Sequence, residues 1–536
     1  KLAAVSDRRC VVSTLFTMYL FTVLILFVIF VIYKVVLSKQ KTKQYHAEAA
    51  RRGCLPAPTL HSNNLLGTSR LKESIKATKE DRGPQYVISA MNEVGSNIHT
   101  VRVPILDYEL LVTRDPENVK AMLSAQSSDY DISATRANAF MPLLGEGIFT
   151  SVGQQWKHSR ALVRPQFSKD EISNLDLIDR HIQTFLGVLQ TQETGWTSTI
   201  DLQPLFFYFS LDVATEFLYG QSVNSQAAIA GLANANNRID GAAFARHLDE
   251  AKHLVDKRGA LGKFYWLMPM KTMNAHCAEV HKVIDFLVQD RLTSKRTPSL
   301  EGEGTRKFVF LDELVKETQN ITELRNETLH TLLAGRDPAA ALMGWTFYLL
   351  SRHPATFSKL RSIIVAEFGS STSSSGITFE KLRSCTFIQH VLNEVIRIVA
   401  IIPMNERIAL RDTTLPRGGG EDGTSSIFVR KGIQVLIPAY AMQHRPDIWG
   451  DDVEEFRPER WEGHKVGWEW IPFGGGPRKC LGQQFGFTEA SLLVVRFLQR
   501  FDGVENMEGP GRIKLHTAIE NRSGTGVKVR LHSASL

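Results

Sequence analysis

Residues 473–482 read Phe-Gly-Gly-Gly-Pro-Arg-Lys-Cys-Leu-Gly, a glycine-rich loop with one cysteine directly before a helical run. Glycines let a backbone pass close to something flat and take dihedrals closed to other residues. A cysteine at a loop-to-helix junction feels the positive end of the helix, which favours its thiolate. A thiolate on an open loop is a metal ligand, and heme iron accepts one from cysteine. The plainer alternative is a turn ahead of a helix in which Cys480 is incidental. The rest of the chain decides between them, because a buried heme needs a large core and cations for its acid groups.

The 536 residues are 43% hydrophobic and 22% charged, which is enough to bury such a core. No low-complexity linker divides them, so one large domain plus an anchor is expected. The net charge of +7 is modest for this length, and no dense Lys/Arg stripe with interleaved aromatics is present. That argues against nucleic acid as a partner. Cys10, Cys54, Cys277, Cys385 and Cys480 are scattered, without zinc spacing or a disulfide pattern, as expected of a reducing compartment with one cysteine used chemically.

Val11 to Tyr33 is an uncharged run of 23 residues. As a helix it spans roughly 34 Å, against about 30 Å for a bilayer core. Lys34, Lys39, Lys41, Lys43, Arg51 and Arg52 follow it, outweighing Lys1, Arg8 and Arg9 before it. The positive excess places the main domain in the cytosol. The expected layout is a lumenal N-terminus (1–10), a transmembrane anchor (11–33), a basic and Pro-containing linker (34–60) and a catalytic domain (61–536). Sequons at Asn320, Asn326 and Asn521 then stay unmodified.

Thr100–Thr113 reads as two strands, and Asp115-Pro116-Glu117 as the start of a short helix. Helices are expected over Gln154–Arg164, Asp170–Gln190, Leu202–Tyr219, most of 226–296 with an apolar break at Phe264–Met270, and Phe310–Thr318. A long helix runs from about Ile321 to Arg352, stopped by His353-Pro354. Phe387–Val399 is helical, Arg417–Thr424 is a Gly-rich excursion, and Gln443–Pro472 is irregular. A helix from Leu481 to about Arg500 follows the cysteine loop, then a β-like tail. Helices dominate, and strands are short and scattered.

With these segments in place, the chain closely resembles the cytochrome P450 superfamily. Phe473, Gly476, Arg478, Cys480 and Gly482 match its F-x-x-G-x-R-x-C-x-G loop. Trp156 and Arg160 match its W-x-x-x-R helix, Glu394 and Arg397 its E-x-x-R pair, and Phe456-Arg457-Pro458-Glu459-Arg460 its meander. Ala334-Gly335-Arg336-Asp337 matches the start of its oxygen-side helix motif. Each pattern alone is weak, but all five occur in the right order. Gly147-Ile148-Phe149-Thr150, Trp156-Lys157-His158-Ser159-Arg160, Leu333–Asp337, Arg411–Gly420 and Gly482-Gln483-Gln484-Phe485 are most similar to the fungal n-alkane and fatty-acid hydroxylases, whose stretches are shared by secondary-metabolite enzymes.

The resemblance implies a mainly α fold with small β-sheets, with heme b between the long oxygen-side helix and the helix after the cysteine loop. Cys480 is then the axial iron ligand. Trp156, Arg160, Arg407 and Arg478 hold the propionates, and Phe473, Gly476 and Gly482 shape the loop. Glu394, Arg397 and Arg460 form a buried structural triad. Implied partners are an NADPH-dependent cytochrome reductase, cytochrome b5 and an apolar substrate entering from the membrane side, past 226–270 and the Asp129–Gly147 loop. Lys465, Arg478 and Lys479 lie where an acidic electron donor would dock. The implied location is the endoplasmic reticulum membrane, single-pass.

One departure concerns the catalytic pair. The family pattern A/G-G-x-D/E-T-T/S here reads Ala334-Gly335-Arg336-Asp337-Pro338-Ala339. The acid is kept and both hydroxyls are gone. In the family that Thr holds water that delivers protons during oxygen activation. Proline inside a helix lacks an N–H and clashes one turn back, at a cost of about 3 kcal/mol. Three outcomes stay open: Asp337 with water or a substrate hydroxyl replaces the Thr, turnover leaks peroxide, or the chemistry is a redox-neutral isomerisation or dehydration. A non-enzymatic membrane heme protein is the further alternative.

Overall fold

The computed structural model describes residues 43–534 apart from 65–66, 107, 168–174, 233–237, 297–307 and 371–375, together with part of 18–40. Residues 1–17, the beginning of the expected anchor and the first residues of the helix expected from Asp170 lie outside the described residues. The described part of the apolar run is helical, and Phe21, Leu24, Leu26 and Phe30 are more than half exposed. Among the described residues no helix is long and apolar enough to cross a membrane.

Seven helices matter for the site: α1 (Gly153–Val163), α2 (Leu202–Tyr219), α3 (Gly241–Ala260), α4 (Lys271–Arg296), α5 (Ile321–Leu350), α6 (Thr386–Val399) and α7 (Gln483–Arg500). Helix α5 begins at Asn320, whose side chain accepts from the N–H groups of Thr322 and Glu323, satisfying donors that a helix start leaves open. It then runs through the middle of the molecule, packed against α2, α4, α6 and α7. Aromatic rings tie these helices together. Phe206 of α2 stacks between Phe185 at 5.2 Å and Phe347 of α5 at 5.6 Å, and Phe347 meets Phe497 of α7 at 4.1 Å. Such pairs add about 0.5–1.5 kcal/mol each beyond their buried area.

The main sheet has five strands: β1 (Thr100–Ile105), β2 (Tyr108–Thr113), β3 (Tyr130–Asp131), β4 (Asn405–Ala409) and β5 (Gln434–Ile437), in the order β1-β2-β5-β4-β3. All its neighbours are antiparallel except β2 and β5. A separate hairpin pairs Thr413–Gly419 with Ser425–Val429, so part of the expected Gly-rich excursion is strand. Pro446–Trp449 and Pro458–Trp461 are short helical turns within the stretch expected to be irregular. The segment 43–60, expected as a spacer, packs on the domain. Cys54 and Ala49 are buried against Phe428, and Leu55 N–H donates to the Ser426 carbonyl at 2.9 Å. Of the three sequon asparagines, Asn326 and Asn521 are buried.

Glu489 of α7 is fully buried, and burial pushes its carboxyl up to about 8; its Oε1 has no hydrogen-bond partner among the described residues. Its folded value is raised, so its contribution to stability is complete below about 4.5 and is lost as pH rises through about 8. Glu489→Gln is neutral at all pH. It is expected to raise stability near pH 8 by about 2–4 kcal/mol and to change little near pH 4. Thermal melts across this range test it, and equal melting temperatures at pH 8 would refute it. Glu327 and Asp256, both also raised to about 7 by burial, keep their own contribution to the slope in the variant.

Candidate active site

The cysteine loop is held open by two left-handed glycines, Gly474 (φ 68°) and Gly476 (φ 61°). A Cβ on Gly476 would collide with the Leu123 carbonyl, so position 476 admits only glycine on two counts. The Cys480 N–H donates to the Phe473 carbonyl at 2.9 Å, closing the loop. Helix α7 starts at Gln483, directly after the loop. Burial pushes the Cys480 thiol up, while the N–H groups of Gly482 and Gln483 and the charges of Arg160 and Lys479 pull it down. Protein surrounds Cys480 on most sides, yet the residue is exposed. Its exposed side is therefore open to a ligand.

A second open surface lies on α5. From Asn326 to Leu350 every residue of this helix is buried except Ala334, Gly335 and Pro338. Ala334 and Pro338 are one turn apart and share a face. The helix continues through Pro338 without a break. Covalent chemistry removes the N–H that would bond the Ala334 carbonyl.

Four guanidinium groups gather beside the cysteine loop. Arg160 of α1 donates to the Lys479 carbonyl at 3.1 Å. Arg478 sits 4.4 Å over the Trp156 ring, donates to the Ser151 carbonyl at 2.9 Å and pairs with Asp131 at 2.6 Å. Arg407 of β4 and Arg136 both donate to Asn405 Oδ1, at 3.0 and 3.5 Å. Burial lowers all four, and mutual repulsion adds to it for Arg407, pushed down to about 10 with Arg136 and Arg478 as the next causes. Asp131 and Glu406 are the carboxylates that oppose this. Like charges buried this closely call for an anion, and the two acid groups of a heme fit the donor set.

Of the residues singled out in the sequence, Trp156, Arg160, Arg407, Arg478 and Cys480 thus come together. Arg478 does not join the exposed basic surface expected of it. It is paired to Asp131 and stacked on Trp156, so of those three residues Lys465 and Lys479 remain exposed. Arg136 was missed. It lies in no recognisable motif, and only the fold carries it across to Asn405.

Glu394 is fully buried and takes Arg397 through two bonds of 2.9 Å. It also accepts from Arg460 at 3.3 Å, Trp461 Nε1 at 3.0 Å and the Arg457 N–H at 3.1 Å. Arg397 donates onward to the carbonyls of Gln443, Val453 and Glu455. This lattice fastens α6 to the segment leading into the cysteine loop. Asp337 faces elsewhere: its carboxylate is held by Lys252 at 3.0 Å and Arg336 at 3.1 Å.

The profile of the family described as Cytochrome P450 matches residues 80–521. The chain belongs to the cytochrome P450 family. Relatives agree along nearly its whole length. A cytochrome P450 monooxygenase g430 of Fusarium sp is 39% identical over 507 residues, 94% of this chain and 88% of the relative. Cytochrome P450 52A13 of Debaryomyces hansenii is 39% identical over 461 residues, 85% of this chain and 87% of the relative. Cytochrome P450 52A5 of Candida maltosa is 40% identical over 440 residues, 80% and 82%. This P450 is a monooxygenase, mainly helical with small sheets, as its motifs imply.

Proposed function

We propose that this P450 is a membrane-anchored heme-thiolate enzyme that hydroxylates an apolar substrate: a fatty acid, an alkane or a secondary-metabolite intermediate. One oxygen atom of O2 enters the substrate and the other leaves as water, with two electrons from NADPH and two protons. The observation that carries the reading is the conjunction of Cys480 with Arg136, Arg160, Arg407 and Arg478. Heme bound there supplies thiolate-supported O–O cleavage. Cys480 would ligate its iron, and the arginines would neutralise its acid groups as forked donors.

The residues around the site fit the remaining roles. Leu261, Phe264, Trp266 and Leu267, at and after the end of α3, form an exposed apolar lip. Lys263 of the same turn lies 4.0 Å over Tyr108, beside the exposed Leu106 of the β1–β2 turn. Apolar surface gathered in this way suits contact with lipid and entry of an apolar substrate. Beside the cysteine loop, a cleft of about 480 Å³ is lined by His390, Asn393, His464, Trp470, Lys479 and Gln483 among others, with no carboxylate in its lining. An acidic face of a separate flavoprotein reductase suits it.

The test is oxidation of a panel of fatty acids, alkanes and polyketide or terpenoid intermediates by microsomes bearing the protein. Substrate-induced difference spectra and product formation that requires both NADPH and O2 are expected. Product formed without either one would overturn the reading. Asp337 is the acid left for proton delivery, once released from Lys252 and Arg336, since Pro338 and Ala339 carry no hydroxyl. Pro338→Thr is therefore expected to raise product formed per NADPH consumed about two- to fivefold, a change of ~0.4–1 kcal/mol in partitioning. No gain in that ratio would show that the missing hydroxyl does not limit coupling.

A further inference from the structure

Helices α3 and α4 pack against each other and are joined by residues 261–270, the segment that carries the exposed apolar lip. Each helix buries an apolar stripe, with Phe244, Leu248 and Ala251 on α3 and Met273, Cys277 and Val280 on α4. His247 and His276 lie next to these stripes in sequence and are half-buried. Their Nδ1 atoms stand 3.1 Å apart. The rings are tilted by 48°, with centroids 5.1 Å apart. Two imidazoles from two helices therefore point the same nitrogen at one spot.

A neutral imidazole carries one N–H and one lone pair. For the two Nδ1 atoms to bond each other directly, the rings must take opposite tautomers. A metal ion takes both in the same tautomer: each Nδ1 gives its lone pair, and each Nε2–H turns away from the metal. A tetrahedral zinc ion with bonds of about 2.0–2.1 Å sets two ligating nitrogens about 3.3–3.4 Å apart. A small turn of either ring takes the observed spacing to that value. Among the described residues no third His, Cys, Asp or Glu completes a closed set. Cys277 is buried, and burial pushes its thiol up to about 11, so it offers no thiolate. His281 of α4 is committed to the Leu143 carbonyl at 2.7 Å. Glu279, one turn beyond His276, pairs with Lys282 at 3.8 Å. The remaining coordination positions therefore belong to water. Such a site is open and exchangeable, unlike the closed four-ligand sites that hold structural zinc. Imidazole donors select zinc, nickel and copper over magnesium and calcium.

We infer that His247 and His276 form a two-histidine site for a divalent transition metal, zinc being the redox-silent member of the class, and that the bound ion fastens α3 to α4. On binding, two metal–nitrogen bonds replace two metal–water bonds and the single N–H···N contact. The ring that held its proton on Nδ1 moves it to Nε2 through solvent, so no proton is released and no electrons move. The consequence falls on residues 261–270. Both ends of that segment are then anchored to helices that are tied to each other, and the lip they carry opens less often. A slower turnover with metal bound follows only if the lip admits the substrate, which rests on the function proposed above. The metal site and the clamp do not depend on it.

The experiment titrates Zn2+ into the chelator-washed, heme-loaded full-length protein in lipid nanodiscs, by calorimetry and by hydrogen–deuterium exchange. Wild type is expected to take up one Zn2+ more than His247→Ala or His276→Ala. Exchange of the amides of 261–270 should slow about tenfold with Zn2+ in wild type and be unchanged by it in both variants. Cu2+ bound in place of Zn2+ should show coupling to two imidazole nitrogens by electron paramagnetic resonance in wild type, and that signal should be missing from each variant. Equal Zn2+ uptake by wild type and both variants would overturn the site. Extra uptake with no slowing at 261–270 would overturn the clamp. Both histidines are half-buried, so the alanine variants should fold. If either does not, His247→Gln and His276→Gln, which keep much of the size without the ring nitrogens, take its place. These measurements need neither substrate nor electron donor, so their failure is distinguishable from a failure of the proposed function.

Discussion

Cys480→Ala is expected to give a folded protein that makes no detectable oxidation product and shows no thiolate-type spectrum on reduction with carbon monoxide. The loss should exceed about 10³-fold, corresponding to ~4 kcal/mol or more of transition-state stabilisation. The fold should survive because Cys480 is exposed and contributes no core packing. Its loop is shaped instead by Gly474, Gly476 and the Cys480 N–H bond to Phe473, all of which alanine keeps. Cys480→Ser sharpens the test. It preserves size and the approach of the Gly482 and Gln483 N–H groups, but substitutes a hydroxyl for the sulfur. If thiolate ligation is what the loop provides, serine should retain some heme and still lose the spectrum and the activity. A serine variant with more than about a tenth of wild-type turnover, under 1.4 kcal/mol of loss, would mean that the sulfur is not the ligand.

Much of this architecture is legible before any coordinates are seen, and the reason is locality. The cysteine loop, the Trp156/Arg160 helix and the Glu394/Arg397 pair are each written within ten residues, and their chemistry depends on that spacing. The long helix α5 is announced by its apolar content and ended by a proline. What the sequence does not display are partners separated along the chain. Lys252 reaches Asp337 across 85 residues and Glu520 across 268. Arg136 reaches Asn405 across 269. Nothing in the local pattern around Lys252 distinguishes it from a surface lysine, because α3 carries charged residues on several faces. Arg478 shows the converse error. Its motif position is plain, but its pairing with Asp131 depends on where β3 is placed. The segment 43–60 looked like a spacer because basic residues and prolines favour extended chain. Its docking on the hairpin that carries Phe428 depends on a surface formed nearly 400 residues later.

Glu394→Ala should be the most destabilising single change in the core. Glu394 is fully buried and accepts from two arginines, one indole and one backbone N–H. Its removal leaves Arg397, itself fully buried, without a counter-ion. Breaking a buried pair from one side costs about 3–5 kcal/mol, against a total of ~5–15 kcal/mol for a typical domain. Arg460→Ala should cost less, because Asp452, which holds Arg460 from the other side, is 30% exposed in its side chain and can be solvated. Arg397→Lys should rescue little. The fork of Arg397 reaches the carbonyls of Gln443, Val453 and Glu455 together, which a single ammonium cannot span. Denaturant melts rank the three variants, and a Glu394→Ala loss below about 1 kcal/mol, the range of an exposed pair, would exclude a structural role for the triad. The damage should not spread evenly. Trp461, bonded to Glu394, packs on Trp470 at 4.7 Å, and Trp470 immediately precedes the segment Ile471–Phe473 that opens the cysteine loop. Heme retention in Glu394→Ala should therefore fail at lower denaturant than the helical signal does. In Glu489→Gln, which leaves this path intact, the two should be lost together.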